Sequence, residues 1–271
     1  MTNGQADSNG NWVLLSTVMA SSMGFISASA LNVVLPRIQQ ALGASGADIL
    51  WITNIYLLLL ASLILVGGSL GDHYGRKRVF GTGILLFTGA SIACGLTPNV
   101  EFLLVARVVQ GIGGALMIPG SLAIISAYFD DDSRGQAIGV WGAATAITTV
   151  GGPILGGILA SAGLWRGVFF INVPLALVSL WALYRYVPES RDDDAPDQLD
   201  YPGAALVTVG LGGLTYGFIN AGRTGYTPTN ILILVAALIV LSVFVWWEGR
   251  TDHPMMPLRL FRSPVFLGAN L

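Results

Sequence analysis

Residues 68–78, GSLGDHYGRKR, form a short, charged, glycine-rich turn between two long apolar runs, 49–70 and 79–97. Crossing the hydrocarbon core of a bilayer takes about 20 apolar residues, and both runs are near that length. The turn is too short to be a domain, so the arrangement predicts a polytopic membrane protein. Its consecutive cations Arg76, Lys77 and Arg78 hold it on the cytoplasmic side, because loops rich in Lys and Arg resist translocation.

Composition supports the same class. Hydrophobic residues make up 54% of the chain and charged residues 10%, whereas a soluble domain carries about 25% charged residues. A net charge of -2 argues against a nucleic-acid partner, which would need a basic surface. Cys94 is the only cysteine, so no intrachain disulfide forms and the thiol is expected to pack in a helix. The first apolar run lacks a basic n-region and is too long for a cleaved signal peptide, which makes it a retained first span.

Apolar runs place spans at 12–35, 49–71, 79–97, 102–128, 136–162, 168–187, 202–220 and 230–247. The expected fold is an all-α polytopic helix bundle: six helices over 1–187, a cytoplasmic linker over 188–201, and two further helices over 202–247. Residues 248–271 are read as a cytoplasmic loop and the start of a ninth helix. With the charged turn inside, inner loops hold nine cations (Arg76, Lys77, Arg78, Arg134, Arg185, Arg191, Arg250, Arg259, Arg262), and outer loops hold Arg37, Arg166 and Arg223. That bias predicts a multi-pass protein of the inner or plasma membrane with a cytoplasmic N-terminus. The stretch 188–200, PESRDDDAPDQLD, carries six acids and one Arg. It reads as a solvated linker, since clustered Asp with Pro builds no core, with an acidic metal or substrate site as the alternative.

Four motifs in order then resemble the major facilitator superfamily. Gly68, Asp72, Gly75 and Arg76 lie in a turn that looks like the superfamily's loop between helices two and three. RVVQG at 107–111 resembles its helix-four motif, GPILGG at 152–157 its antiporter motif in helix five, and WRGVFFINVP at 165–174 the helix-six signature of the fourteen-helix drug:proton antiporter branch. The resemblance covers essentially the whole chain. It implies a transporter whose complete form exports hydrophobic or cationic drugs or metabolites by alternating access, with no cofactor and a proton gradient as energy source. Its partners would be a small-molecule substrate, the lipid bilayer and a second, C-terminal helix bundle. The turn would be a conformational latch, and Arg107 with Gln110 would serve coupling. The ridge of Gly152, Pro153, Gly156 and Gly157 would seal against a helix of the other bundle, beyond residue 271.

Each motif also has a reading of its own. Topology needs the cations of the turn but not Asp72, which is within reach of Arg76. Arg107 is the one ionisable residue well inside a span, and a charge there either lines a cavity or snorkels to the interface. Gln110 follows on the same helix face, and Gly111, Gly113 and Gly114 allow close helix approach. Pro153 removes a backbone donor from helix five. Trp165 and Arg166 suit anchoring at the outer interface, with substrate contact as the alternative. Asn172, two residues before Pro174, needs a partner if buried, an interhelical hydrogen bond ahead of a substrate contact, and Asn32 suits either a cavity or a core hydrogen bond.

The first span departs from the branch. In ISASALNVVLP at 26–36, Ser27 occupies the place of an acidic residue, and a serine carries no proton at accessible pH. Two alternatives follow: a non-transporting membrane scaffold or sensor, or anion-coupled transport using Arg107. An enzyme is not expected. His73 and His253 fall in loops, and no span holds an acid, Cys or His cluster suited to catalysis or to a metal.

Overall fold

The computed structural model describes residues 3–191, 200–251 and 254, with side chains from Asn9 onward. The start of a ninth helix read over 264–271, and most of the acidic linker, lie outside these residues. Within them the chain is helical and forms two compact units, Met1–Asp193 and Asp194–Leu271. The first contains α1 (Asn3–Leu42), α2 (Gly46–Tyr74), α3 (Arg76–Gly95), α4 (Val100–Tyr128), α5 (Asp131–Ser161), α6 (Gly167–Phe170) and α7 (Asn172–Tyr186). The second contains the hairpin of α8 (Tyr201–Thr224) and α9 (Pro228–Glu248).

Eight of the described segments are long and apolar enough to cross a membrane, with α6 and α7 together forming the sixth. Helices are the natural element here, because each backbone N–H and C=O finds its partner within the segment. Several run past the boundaries that hydropathy suggests. The first spans Asn9–Leu42 instead of 12–35, and α5 spans Asp131–Ser161 instead of 136–162. Side-chain caps mark several helix starts. Ser45 and Asp48 form a reciprocal capping box at the start of α2, Asn99 caps α4 through Phe102 N–H at 2.8 Å, and Thr227 caps α9. Each side chain satisfies N–H groups that the first helical turn leaves open.

The sixth span was expected as one helix over 168–187 and is instead divided at Ile171. Pro174 has no N–H with which to bond the Phe170 carbonyl four residues back, so the helical pattern lapses there although the Ile171 backbone keeps near-helical angles (φ -59°, ψ -23°).

In the first unit α4 packs on α2 and α3, while α1 packs on α5 and α7. Glycines permit the closest of these approaches. Gly83 of α3 and Gly113 of α4 face each other, and a Cβ on either would lie 3.0 Å from the other's carbonyl oxygen. Two apolar clusters result. One gathers Ile26, Leu31, Val34, Ile52, Cys94, Leu103, Trp165 and Phe169. The other gathers Met23, Tyr56, Phe80, Phe87, Met117, Ile124 and Leu183. Along α1, α3, α4 and the sixth span, the boundary between the clusters falls at Ser27, at Ser91, at Arg107 and Gln110, and at Asn172, all buried. A polar layer thus sits at mid-length between two apolar ones.

The cation bias gives a testable orientation. In a Cys94→Ser background, Asp132→Cys is expected to resist an impermeant thiol reagent added to intact cells, and Tyr226→Cys to label readily; both positions are exposed. The reverse pattern would invert the topology.

Candidate functional site

Arg107 is fully buried. Its Nε donates to the Ile52 carbonyl at 3.0 Å, its Nη1 to Gln110 Oε1 at 2.7 Å, and its guanidinium lies 4.5 Å from the centre of the Tyr56 ring. The alternative in which the side chain snorkels to an interface does not describe this arrangement, since the head group is held inside the bundle by α2 and by its own helix. Gln110 continues the connection, with Nε2 donating to Ser91 Oγ at 3.3 Å. Ser91 in turn donates to the Phe169 carbonyl at 2.8 Å. Asn172 Nδ2 meets Ser91 Oγ at 2.7 Å and Ser27 Oγ at 2.9 Å.

The polar layer is therefore one continuous network, from the α2 backbone through α4, α3 and α7 to α1. Burial makes each of these bonds consequential, because an unpaired polar group there costs about 1–3 kcal/mol. Asn172 was expected to bond between helices, and it does. Ser27, standing where the resemblance anticipates an acid, forms the far end of the same network. Asn172 Oδ1 has no protein partner among the described residues.

Beside this network a cavity of about 230 Å3 opens between α1, α2, α4 and α5, lined by Phe25, Ala28, Ser29, Asn32, Thr53, Tyr56, Leu57, Arg107 and Thr149. Asn32 is an exposed side chain of this wall, bonded only to the Ala28 carbonyl one turn back at 3.3 Å. Of its two sequence readings, the cavity is the one the structure shows.

The antiporter-like ridge needs a correction. Its partner was placed beyond residue 271, yet Gly152 and Gly156 are buried against Ser29 and Ala30 of α1. A Cβ on Gly156 would lie 2.6 Å from the Ala30 carbonyl oxygen. Pro153 is exposed and Gly157 has open space at its Cβ position. They belong to the outward face of α5, with Val150 and Ile154. Helical periodicity separates the four residues into two faces, one of which is already occupied.

Trp165 and Arg166 also differ from the expectation of an interfacial anchor. Trp165 is 6% exposed and part of an apolar cluster. Arg166 stacks over its ring at 4.2 Å and donates through Nη2 to the Thr97 carbonyl at 2.7 Å. Together they fasten the start of the sixth span to the α3–α4 connection. Pro174 is exposed on α7, away from the network its neighbour Asn172 joins.

The segment 68–78, expected as a turn, is mostly helical: α2 runs to Tyr74, α3 begins at Arg76, and Gly75 alone separates them, because a glycine suffices for the reversal. There Arg76 Nε donates to Asp72 Oδ1 at 2.8 Å, and a second contact comes from Nη2 at 2.8 Å. Gly75 adopts φ +106°, and a Cβ there would also lie 2.8 Å from Glu189 Oε1. Only glycine meets both demands without strain. Glu189 was counted among the acids of a solvated linker. In the fold it accepts from Lys77 N–H at 2.9 Å and pairs with Arg78 at 3.5 Å. Arg76 N–H donates to the Ser190 carbonyl at 2.8 Å, and Lys77 Nζ to the Val187 carbonyl at 2.6 Å. A carboxylate over the open N–H groups at the start of α3 also has favourable helix-dipole electrostatics. Gly68 lies partly buried near Pro119 of α4.

Ser91, Tyr56 and Glu189 were not singled out from sequence. A lone hydroxyl or phenol in an apolar run looks like any other, and nothing local distinguishes Glu189 from the acids that follow it.

A multi-pass helical bundle with a buried polar layer and a lateral cavity between its helices is the architecture of a membrane transporter unit. Residues 17–267 match the Major Facilitator Superfamily, and the chain belongs to that family, one of transporters and not of enzymes. It is 37% identical over 259 residues to the multidrug resistance protein Stp of Mycobacterium tuberculosis, covering 93% of this chain and 48% of Stp. It is also 37% identical to the tetracenomycin C resistance and export protein of Streptomyces glaucescens (95% and 48% covered), and 34% identical to the methylenomycin A resistance protein of Streptomyces coelicolor (94% and 54%). The chain thus spans about half the length of these curated relatives. Among solved structures, the peptide transporter POT in complex with sulfate shares the fold with a TM-score of 0.61 at 18% identity, over 94% of this chain and 53% of that one. A bacterial homologue of the lysosomal transporter Spinster, inward-facing and unoccupied, gives 0.57 at 21% identity, over 86% and 60%.

Proposed function

We propose that this chain supplies one bundle of an exporter of hydrophobic drugs or metabolites, driven by a proton gradient and operating by alternating access. The observation that carries this reading is Arg107, buried in the wall of the α1–α2–α4–α5 cavity and held there by α2 and by Gln110 of its own helix. A charge is costly in such a place unless it serves a pathway or a partner. The naming of similar proteins for drug resistance and export supports the direction of transport. In this reading Asp72, Arg76 and Gly75 form a cytoplasmic latch, with Glu189 as an added member. The exposed α5 face bearing Pro153 and Gly157 meets the second bundle. Ser27 cannot carry the coupled proton, so the titrating group comes from that bundle.

Rocking one bundle against another around a midplane site requires two bundles. Liposomes holding this chain alone, loaded with a fluorescent hydrophobic dye under a pH gradient, are therefore expected to show no gradient-driven dye movement. Liposomes that also hold a second six-helix bundle, on the same or a separate polypeptide, are expected to move the dye and to stop when a protonophore is added. Movement by this chain alone would overturn the two-bundle requirement, and movement indifferent to the protonophore would overturn proton coupling. A complete two-bundle assembly that moves no dye would overturn export.

A further inference from the structure

If the cavity between α1, α2, α4 and α5 is the transport site, its wall also selects the charge of what it carries. Arg107 remains protonated at any accessible pH, and every partner it has among the described residues is neutral: the Ile52 carbonyl, the Gln110 amide oxygen and the Tyr56 ring. No ion pair with a carboxylate offsets it among those residues. The cavity lining adds no negative charge either. Asn32, Thr53 and Thr149 contribute neutral polar groups, while Phe25 and Leu57 contribute apolar surface.

In surroundings of low dielectric an uncompensated cation acts across the cavity without touching its occupant. A second cation entering the space meets repulsion with no local counterion. An anion supplies the compensation the wall lacks. The aromatic and aliphatic lining, meanwhile, favours a flat apolar body over a small hydrated ion. We propose that this wall selects hydrophobic aromatic compounds bearing a delocalised negative charge, such as phenolates, enolates or aromatic carboxylates, over cations of the same size and shape.

The test uses two xanthene dyes of matched frame, anionic fluorescein and cationic rhodamine 123. Their binding to the 271-residue chain in nanodiscs of neutral phosphatidylcholine is followed by fluorescence anisotropy. Fluorescein is expected to bind tighter by about tenfold, the order of a screened charge–charge interaction across a small cavity. Arg107→Gln should bring the two dyes level, whereas Arg107→Lys, which keeps the charge and alters its shape, should retain the preference. Thermal unfolding in the same nanodiscs confirms that the variants compared are folded. Equal or tighter binding of rhodamine 123, a preference that survives in Arg107→Gln, or saturable binding of neither dye would overturn the proposal. The export reading is judged separately. Gradient-driven movement of rhodamine 123 by the two-bundle assembly would leave export standing while charge selection fails. The binding preference without any dye movement would do the opposite.

Discussion

Replacing Arg107 by alanine is expected to abolish dye movement by the two-bundle transporter while leaving membrane insertion and expression near the wild-type level. The two halves of that expectation have different causes. Removing the side chain leaves Gln110 Oε1 without its donor, a loss of about 1–3 kcal/mol if it stays buried and unpaired, while the Ile52 carbonyl, inside α2, loses only a bond additional to its helical one. The same change removes a buried cation without a carboxylate partner among the described residues, whose effective desolvation penalty is of order several kcal/mol. The effects oppose each other, so the fold survives, but nothing replaces the charge at the cavity wall. Arg107→Lys is expected to recover little transport. An ammonium cannot reproduce the planar fork that reaches α2 and Gln110 together while stacking on Tyr56. Near-full transport by Arg107→Lys would show that the charge alone suffices and would remove the network from the mechanism. Transport retained by Arg107→Ala would remove Arg107 from the site.

Gly113→Leu is expected to damage the bundle itself severely. A Cβ at this position would lie 2.6 Å from Phe87 N and 2.9 Å from Phe87 Cα. Both are backbone atoms of α3 that no rotamer change can move aside. Relief requires separating α3 from α4, which opens the packing around Phe87 and Met117 and displaces Ser91, one turn along α3, from Gln110. Overpacking of this kind costs about 1–3 kcal/mol where neighbours can shift, and more where backbone must move. Gly139→Leu is the control, because nothing lies within 4 Å of its Cβ position. Size-exclusion recovery and the thermal unfolding midpoint in detergent should fall steeply for Gly113→Leu and hardly at all for Gly139→Leu. Equal behaviour of the two would mean that the α3–α4 contact contributes little to the bundle.

The two substitutions also show why parts of the site were legible early and others were not. Arg107 announces itself in the sequence because a charge within an apolar run has an energetic cost that demands a use. Ser91 makes no such demand. A serine can satisfy itself on its own helix, as Ser62 does on the Leu58 carbonyl at 2.6 Å, so only the placement of α3 against α4 and α7 reveals that Ser91 joins Gln110 to Asn172. The same limit separates Gly152 and Gly156 from Pro153 and Gly157. The motif puts all four on one short segment, but the rotation of α5 about its axis decides which pair meets α1. Trp165 was read from its neighbourhood at a helix end, where tryptophans commonly meet headgroups. Its ring instead turns inward because Ala160, Leu159 and Phe169 offer an apolar cluster on that side.

By itself, the sequence determined the class of the fold, the number and order of the spans over the described residues, the family and the presence of a buried cation in the fourth span. These follow from local quantities: the length of apolar runs, the position of charged turns, and the cost of ionisation in a low-dielectric layer. The tertiary structure decided which side chains share the polar layer with Arg107, which face of α5 is already taken, and that Glu189 closes over Gly75 at the start of α3. Those outcomes depend on helix rotation and on contacts between residues up to 145 positions apart, as between Ser27 and Asn172. No window along the chain contains both ends of such a bond.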